Sequence, residues 1–162
     1  MSNRFNKRIA VKVAAPEDMR KLAPNLRQAD IAEVAAATGQ TGLEALLEGL
    51  ALTPFCLYAT YDDAPMAAFG IVPDKENPEL GVPWLLGSDL IAKCPVTFLR
   101  YSRNWLRTLG ADYEVLANYV KADHAESINY LKHLGFSFGE PVQMGPQDEI
   151  FIPFSKIVNE GE

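Results

Sequence analysis

Apolar and polar side chains first alternate and then follow helical spacing over the first third of the chain. Residues 9–13 alternate and predict a β-strand. Three helix starts follow: Pro16 suits a first helical position, Asp30 is a candidate N-cap, and Thr41 forms a capping box with Glu44. Apolar residues recur every three or four positions behind each start. The pattern predicts one strand and then helices over residues 16–27, 30–38 and 41–52.

Short apolar runs separated by turns replace the helical pattern after residue 54. The runs 55–61 and 66–72 flank a turn and predict a β-hairpin. The chain continues with strands at 82–87, 113–120, 136–138 and 149–154, and with helices at 95–110 and 125–134. This order predicts an α+β fold, a mostly antiparallel mixed sheet of about seven strands with helices on both faces. We expect one domain over residues 1–154 and a loose tail over 155–162.

Composition narrows the classes of protein that this chain can represent. Its 162 residues are 48% hydrophobic and 22% charged, as in globular domains. The net charge of −6 argues against general binding to nucleic acid or to anionic membranes. No apolar run approaches the ~18 residues of a membrane-spanning helix, and the first residues do not resemble a signal peptide. Cys56 and Cys94 lack nearby cysteine partners and are typical of reduced thiols in a cytoplasmic protein, so a zinc site is not expected.

The most specific motif lies in residues 116–136, a strand, a polar turn and a helix that ends in Leu-Gly-Phe. This unit, the segment 13–18 and the order of the elements resemble the GNAT superfamily of N-acetyltransferases. The resemblance implies a sheet in which the strands of Trp84 and Asn118 splay apart. The slot between them holds acetyl-CoA in that superfamily.

A narrower resemblance rests on residues 81–87, 98–105 and 131–136. These segments are similar to a family of small tailed-phage proteins, encoded beside internal-virion and morphogenesis genes. The resemblance implies a phage origin, a location in the cytoplasm of the infected host or in the virion, and a host or phage protein as partner. It implies nothing about catalysis, and the oligomeric state stays open.

The segment 88–96 departs from what the GNAT resemblance implies. Members of the superfamily hold the coenzyme diphosphate on backbone N–H groups of a glycine-rich loop at a helix N-terminus. Here the segment has no glycine, carries the acidic Asp89, and places Pro95 where an N–H donor is needed. Lys93 is the only cation in it. The sequence therefore argues against a tight cradle for the diphosphate.

The expected general acid is also missing from its place in the last helix. The tyrosine that protonates the leaving thiolate in the superfamily corresponds to Leu131. Tyr130 precedes it by one position, ~100° around the helix, and is not expected to replace it. His124 stands where the superfamily usually has an asparagine, and it is either a base or a helix-start residue.

Other residues near the predicted slot supply candidates for binding and catalysis, each with an alternative as a cap, a core residue or a solvated charge. The catalytic candidates are Asn118, Tyr119 and His124. The coenzyme candidates are Leu86, Gly87, Ser88, Lys93, and Arg100 and Arg103 from a stripe that Arg107 extends. The substrate candidates are Asp30 and Glu33, as acids that orient an amine, and Trp84.

Two functions from different classes remain. The departures favour a phage-encoded GNAT-like protein with a degenerate acyl-CoA site, which needs no cofactor and acts as a binding or morphogenesis factor. The alternative is an active N-acyltransferase that uses acetyl-CoA to modify a host or phage amine. In that case a water molecule or Tyr119 would replace the missing acid.

Overall fold

The computed structural model describes residues 8–159, which build an eight-stranded mixed sheet with helices on both faces. The helices are α1 (Pro16–Leu22), α2 (Gln28–Thr38), α3 (Gly42–Leu52), α4 (Pro95–Gly110) and α5 (Ala125–His133). The strands are β1 (Ile9–Val13), β2 (Leu57–Tyr61), β3 (Ala64–Pro73), β4 (Leu80–Gly87), β5 (Val115–Lys121), β6 (Ser137–Phe138), β7 (Val142–Met144) and β8 (Glu149–Ile157). Short 3-10 turns at Ala23–Asn25 and Asp89–Lys93 precede α2 and α4. The expected α+β class is confirmed, with β7 as an additional strand.

The sheet runs β1-β2-β3-β4-β5-β8-β6, with β7 also paired to β8. All of these pairs are antiparallel except β4–β5, which is parallel. β4 and β5 pair only through Leu80 with Val115 and Gly81 with Leu116. Beyond these residues the two strands diverge, so the expected fork in the sheet is confirmed. We call the gap between the diverging parts of β4 and β5 the fork.

Alternate residues of each strand point to opposite faces of the sheet, and each face has its own helices. On one face, Tyr58, Ala68 and Leu86 form a core with residues of α1 and α3. On the other face, Ala67 packs with Phe98 of α4, and residues of β5 and β8 pack with α5. The fork therefore connects two differently covered faces.

Two sequence predictions need correction. α2 begins at Gln28 with Arg27 as its N-cap, so Asp30 lies inside the first turn and is not the N-cap. β8 continues through Ile157, so residues 155–157 belong to the sheet and not to a tail. The strand tolerates Pro153, because the Pro153 carbonyl accepts from Gly139 N–H on the side away from β5, so its missing N–H breaks no bond to β5.

None of the helices between residues 8 and 159 combines the length and hydrophobicity that crossing a membrane requires. Over the same residues, His, Cys, Asp and Glu side chains form no group of three or more arranged to hold a metal ion. The predicted tail residues 160–162 lie outside the described residues.

Candidate functional site in the fork

The fork opens into a cavity of about 840 Å³ that reaches both faces of the sheet. Asn118 spans its narrow end: the side-chain N–H₂ donates to the Pro83 carbonyl at 2.8 Å, and Oδ1 accepts from Tyr119 N–H at 2.8 Å. This amide holds the two edges in place where the strands separate. Asn118 lines the cavity, but both halves of its amide are occupied by backbone groups.

The edge of β4 that faces the fork carries one residue with backbone groups free for a ligand. Ser88 N–H bonds to Met66 in β3, at 2.8 Å, and hydrogen-bonded residues alternate along an antiparallel pair. Leu85 and Gly87 therefore turn their N–H and C=O groups toward the fork. Gly87 uses both groups on α2, as described below, so Leu85 offers the free donor and acceptor on this edge.

A buried ionic network crosses the wide end of the fork. The Asp30 side chain is 1% exposed and accepts from Arg27 Nη2 at 2.9 Å, from Gly87 N–H at 2.8 Å and from His124 Nε2 at 2.6 Å. Arg27 N–H in turn donates to the Gly87 carbonyl at 2.9 Å. The first turn of α2 thereby ties the end of β4 to the start of α5.

His124 belongs to this network and not to the cavity wall. Its Nδ1 accepts from Ser127 N–H at 3.3 Å and caps α5, so both ring nitrogens have partners. Burial by itself would lower the pKa of His124, but the hydrogen bond that it donates to Asp30 and the charge of Glu33 raise this pKa above the usual value. The helix-start interpretation of His124 agrees with its cap on α5, and its role as a base stays a prediction without a place on the cavity wall.

Glu33 lies one turn after Asp30 on α2 and brings a carboxylate to the cavity. Its Oε2 accepts from Lys121 N–H at 2.7 Å, which fixes it against β5. Burial raises the pKa of Glu33, while the bond from Lys121 and the charge of His124 act in the opposite direction. A carboxylate with a raised pKa is suited to accept a proton from an amine.

Tyr130 reaches the cavity from the opposite side. Its ring packs against Phe98 of α4, with the ring centroids 5.9 Å apart. Burial raises the pKa of Tyr130 to about 12, so the phenol keeps its proton at neutral pH. The angular offset of Tyr130 from Leu131 predicts that Tyr130 cannot replace it, yet both residues line the cavity. The signal that was missed is Phe98, an aromatic residue on α4 that holds the Tyr130 ring at the wall.

The other predicted site residues divide into two groups. Leu86, Trp84 and Tyr119 line the cavity, with the Trp84 indole N–H bonded to Thr53 at 2.9 Å. Asp30 and Gly87 do not line it, and their polar groups are used in the network, so their contacts with a ligand stay predictions.

Ser88 uses its hydroxyl within the fold, and its contact with the coenzyme stays a prediction. Its hydroxyl donates to the Pro65 carbonyl at 2.9 Å and accepts from Leu90 N–H at 3.3 Å. Leu90, Ile91 and Cys94 donate their N–H groups within the same turn, so the segment 88–96 uses several of its donors internally. The first turn of α4 still has donors with no partner inside the helix, as every helix start does.

The predicted cations lie outside the cavity wall. Lys93 and Arg100 are exposed, and Arg103 donates to the His133 carbonyl at 3.2 Å. Their contact with coenzyme phosphates stays a prediction. Among the described residues, one buried polar atom has no partner, the Trp105 indole nitrogen, and the Trp105 side chain lines the cavity.

No family model matches the chain, and no curated protein is significantly similar to it in sequence. The fold is shared with solved acetyltransferases. Ard1 from Thermoplasma volcanium has a TM-score of 0.69 at 15% identity, over 94% of this chain and 99% of that one. The putative acetyltransferase yncA from Salmonella typhimurium, solved with its cofactor acetyl-CoA, has a TM-score of 0.65 at 14% identity, over 94% and 95%.

An acetyltransferase of the GNAT family from Streptococcus pneumoniae has a TM-score of 0.64 at 12% identity, over 93% of this chain and 99% of that one. At such low identity the similarity shows the fold and not the activity. The chain therefore has the GNAT fold, including the fork between the two parallel strands.

Proposed function

We propose that this protein is an N-acyltransferase that moves an acyl group from an acyl-CoA thioester to an amine. The observation that carries the proposal is the open fork, with the carboxylate of Glu33 on one side of its cavity and the protonated phenol of Tyr130 on the other. A base for the amine and an acid for the thiolate are the two groups that such a transfer uses.

In the transfer step, each of the two groups moves one proton. The amine nitrogen attacks the thioester carbonyl, so that a C–N bond forms, the C–S bond breaks, and an amide and the CoA thiol are the products. Glu33 takes the proton that the amine loses. Tyr130 donates its hydroxyl proton to the departing sulfur, and solvent restores both groups to their starting states.

The free backbone groups of Leu85 fit the pantetheine arm of the coenzyme. An arm laid along β4 would pair its amide with this N–H and C=O, as a neighbouring strand does. The Pro83 carbonyl and the Gly87 N–H already have hydrogen-bond partners within the protein. The coenzyme can therefore pair with only one residue of this edge, Leu85. The Asn118 bridge marks the inner end of the slot, where the thioester would lie.

The diphosphate has fewer partners here than a glycine-rich loop supplies. The donors in the first turn of α4 and the ammonium of Lys93 are the groups nearest in sequence to the expected position, and Asp89 opposes them. We infer that the coenzyme binds mainly through its pantetheine and acyl parts. In this proposal Arg100 and Arg103 of α4 add cationic contacts to the phosphates.

The same segment, 88–96, supports a second candidate. A loop that uses several donors internally and carries Asp89 fits a GNAT scaffold used for binding, which agrees with the resemblance to tailed-phage proteins. In that case the protein is a phage-encoded binding or morphogenesis factor in the host cytoplasm or the virion, and it recognises a host or phage protein.

Isothermal titration calorimetry with acetyl-CoA and longer acyl-CoA thioesters separates the candidates. A ligand at 100 times its Kd stabilises a fold by ~2.7 kcal/mol, which is several degrees in a parallel thermal-unfolding scan. We expect binding, followed by release of CoA thiol when amines are added. Tyr130→Phe should keep binding and slow the release about a hundredfold or more, whereas Tyr101→Phe, an exposed tyrosine on α4, should change neither. Absence of binding at millimolar thioester would overturn the enzyme proposal and leave the second candidate.

A further inference from the structure

The cavity has an apolar arm that continues beyond the fork, between α4 and the sheet. We call this space the α4 arm. Most of its wall is made of hydrophobic side chains from β3, β4 and α4: Phe69, Ile71, Leu85, Leu99, Leu106 and Leu109. Ser102 and Trp105 are the polar residues of α4 in this wall. The charged residues that line the cavity come from α2, α3, α5 and the N-cap of α2, and none comes from α4: Arg27, Glu33, Glu48 and Glu126. The arm thus differs in chemistry from the part of the cavity that faces α2 and α3.

The direction of α4 shows that the arm runs past the thioester position. The turn before α4 contains Ile91, which contacts Gly87 at the wide end of the fork. The start of α4 therefore lies at this end. At the end of α4, Gly110 approaches Leu116, at the paired end. The lining residues of α4 extend from Val96 to Leu109, which is ~20 Å at the helical rise of ~1.5 Å per residue. Space therefore remains beyond the place where Asn118 closes the slot.

Side chains on the inner face of α4 are less buried than their position predicts. Leu99, Leu106 and Leu109 point toward the sheet but remain half-buried, because the cavity lies in front of them. Protein interiors are packed as densely as organic crystals, and apolar side chains aimed at a sheet are normally enclosed. A continuous apolar space of this kind is suited to a hydrocarbon chain.

We propose that the α4 arm holds the acyl chain of the thioester, and that this chain is longer than acetyl. This inference rests on the proposed function, because it assigns the acyl part of the same substrate. It also gives a physical reason for the weak diphosphate site. Burial of each methylene group tightens binding about fourfold, so a chain in the arm replaces affinity that a glycine-rich loop would supply.

Calorimetry of the full chain with CoA, acetyl-CoA, hexanoyl-CoA and octanoyl-CoA tests the arm. We expect hexanoyl-CoA to bind at least about tenfold more tightly than acetyl-CoA. If acetyl-CoA binds and the longer thioesters bind equally or more weakly, the α4 arm does not hold the acyl chain, and the proposed function stands. If none of the four ligands binds, the proposed function fails, and the arm fails with it.

Two variants test whether the preference for long acyl chains arises in the α4 arm. Leu106→Trp fills the arm, and Thr108→Trp places the same bulk on the exposed side of α4 as the matched control. The first should keep the affinity for CoA and lose the preference for long chains, whereas the control should keep both. If circular dichroism shows that Leu106→Trp does not fold, Leu109→Phe supplies a smaller obstruction. A folded filling variant that still prefers hexanoyl-CoA would contradict the proposal.

Discussion

The two faces of the sheet differ in how completely their helices fill the space against them. On the α1–α3 face, Met19, Leu22 and Leu46 are 0% exposed and form a closed core with β2, β3 and β4. On the α4 face, Leu99 and Leu106 remain half-buried beside the cavity. Both helical layers are amphipathic, so hydrophobic patterning alone does not distinguish a layer that packs from one that leaves room.

The polar groups also differ between the two faces of the sheet. The α2 side of the fork holds Arg27, Asp30 and His124 in one buried network and adds the carboxylate of Glu33. The α4 face brings separate polar groups to the cavity, among them Ser102, the Tyr130 phenol and the unpaired Trp105 indole nitrogen, and Glu126 of α5 adds a charge. The α2 side thus fixes the width of the fork through a connected network, and residues of both sides line the cavity.

Replacement of Asp30 should have the largest effect. Asp30→Ala leaves the Arg27 guanidinium and the His124 ring buried without their shared partner and frees the Gly87 N–H. Breaking a buried ion pair by removal of one partner costs about 3–5 kcal/mol. Urea denaturation followed by circular dichroism measures the loss. Asp112→Ala, an exposed acid in a turn, is the control and should change stability by less than about 0.5 kcal/mol. A loss below 1 kcal/mol in Asp30→Ala would show that the network does not hold the fork.

Matched leucine truncations should separate the two faces directly. Leu46→Ala removes a fully enclosed side chain and should lower the free energy of unfolding by about 2–5 kcal/mol. Leu106→Ala removes one that already faces a cavity, so fewer contacts are lost and the cost should be less than half as large. The same urea experiment measures both. Equal losses would mean that α4 is packed as tightly as α3, and the comparison would then be wrong.

The sequence was sufficient for the order of elements and for the fork. Alternation at 9–13 and the capping box at Thr41 are local signals, and the Leu-Gly-Phe end of α5 carried the resemblance to the GNAT superfamily. The elements that local patterns define, β1 and α3, agree closely with the structure.

The site was predicted less well, because it depends on contacts between distant segments. Asp30 and Gly87 are 57 positions apart, and Glu33 meets Lys121 across 88. A local pattern assigns Asp30 to a cap, since an acid before an apolar run is typical of one. Tyr130 was rejected on helix geometry within α5, while its place is decided by Phe98 on α4.

Replacement of Glu33 should change the free energy of unfolding least of the three replacements. The same change should strongly lower the rate of acyl transfer. Burial raises the pKa of the Glu33 carboxyl in the folded chain above its value in the unfolded chain. Such a group contributes stability that is present below the unfolded pKa and is lost as the pH rises through the folded pKa. Glu33→Gln cannot ionise and can still accept from Lys121 N–H. We therefore expect the variant to equal or exceed the wild type in stability at neutral pH, and to lose this advantage when both are compared at pH values below the normal carboxylate range.

The rate of acyl transfer is the second measurement for Glu33. If Glu33 had only a structural role, a stable Glu33→Gln variant would keep this rate. If Glu33 takes the proton of the amine, Glu33→Gln loses transfer by about a hundredfold or more at neutral pH although it is as stable as the wild type. Wild-type activity should fall as the pH drops through the raised pKa, because the protonated carboxyl cannot accept the proton. Glu48→Gln, an exposed acid of α3 at the same cavity, is the matched control and should keep most of the rate. A stable Glu33→Gln protein with full activity would assign Glu33 to the walls of the fork and leave the proton to another acceptor.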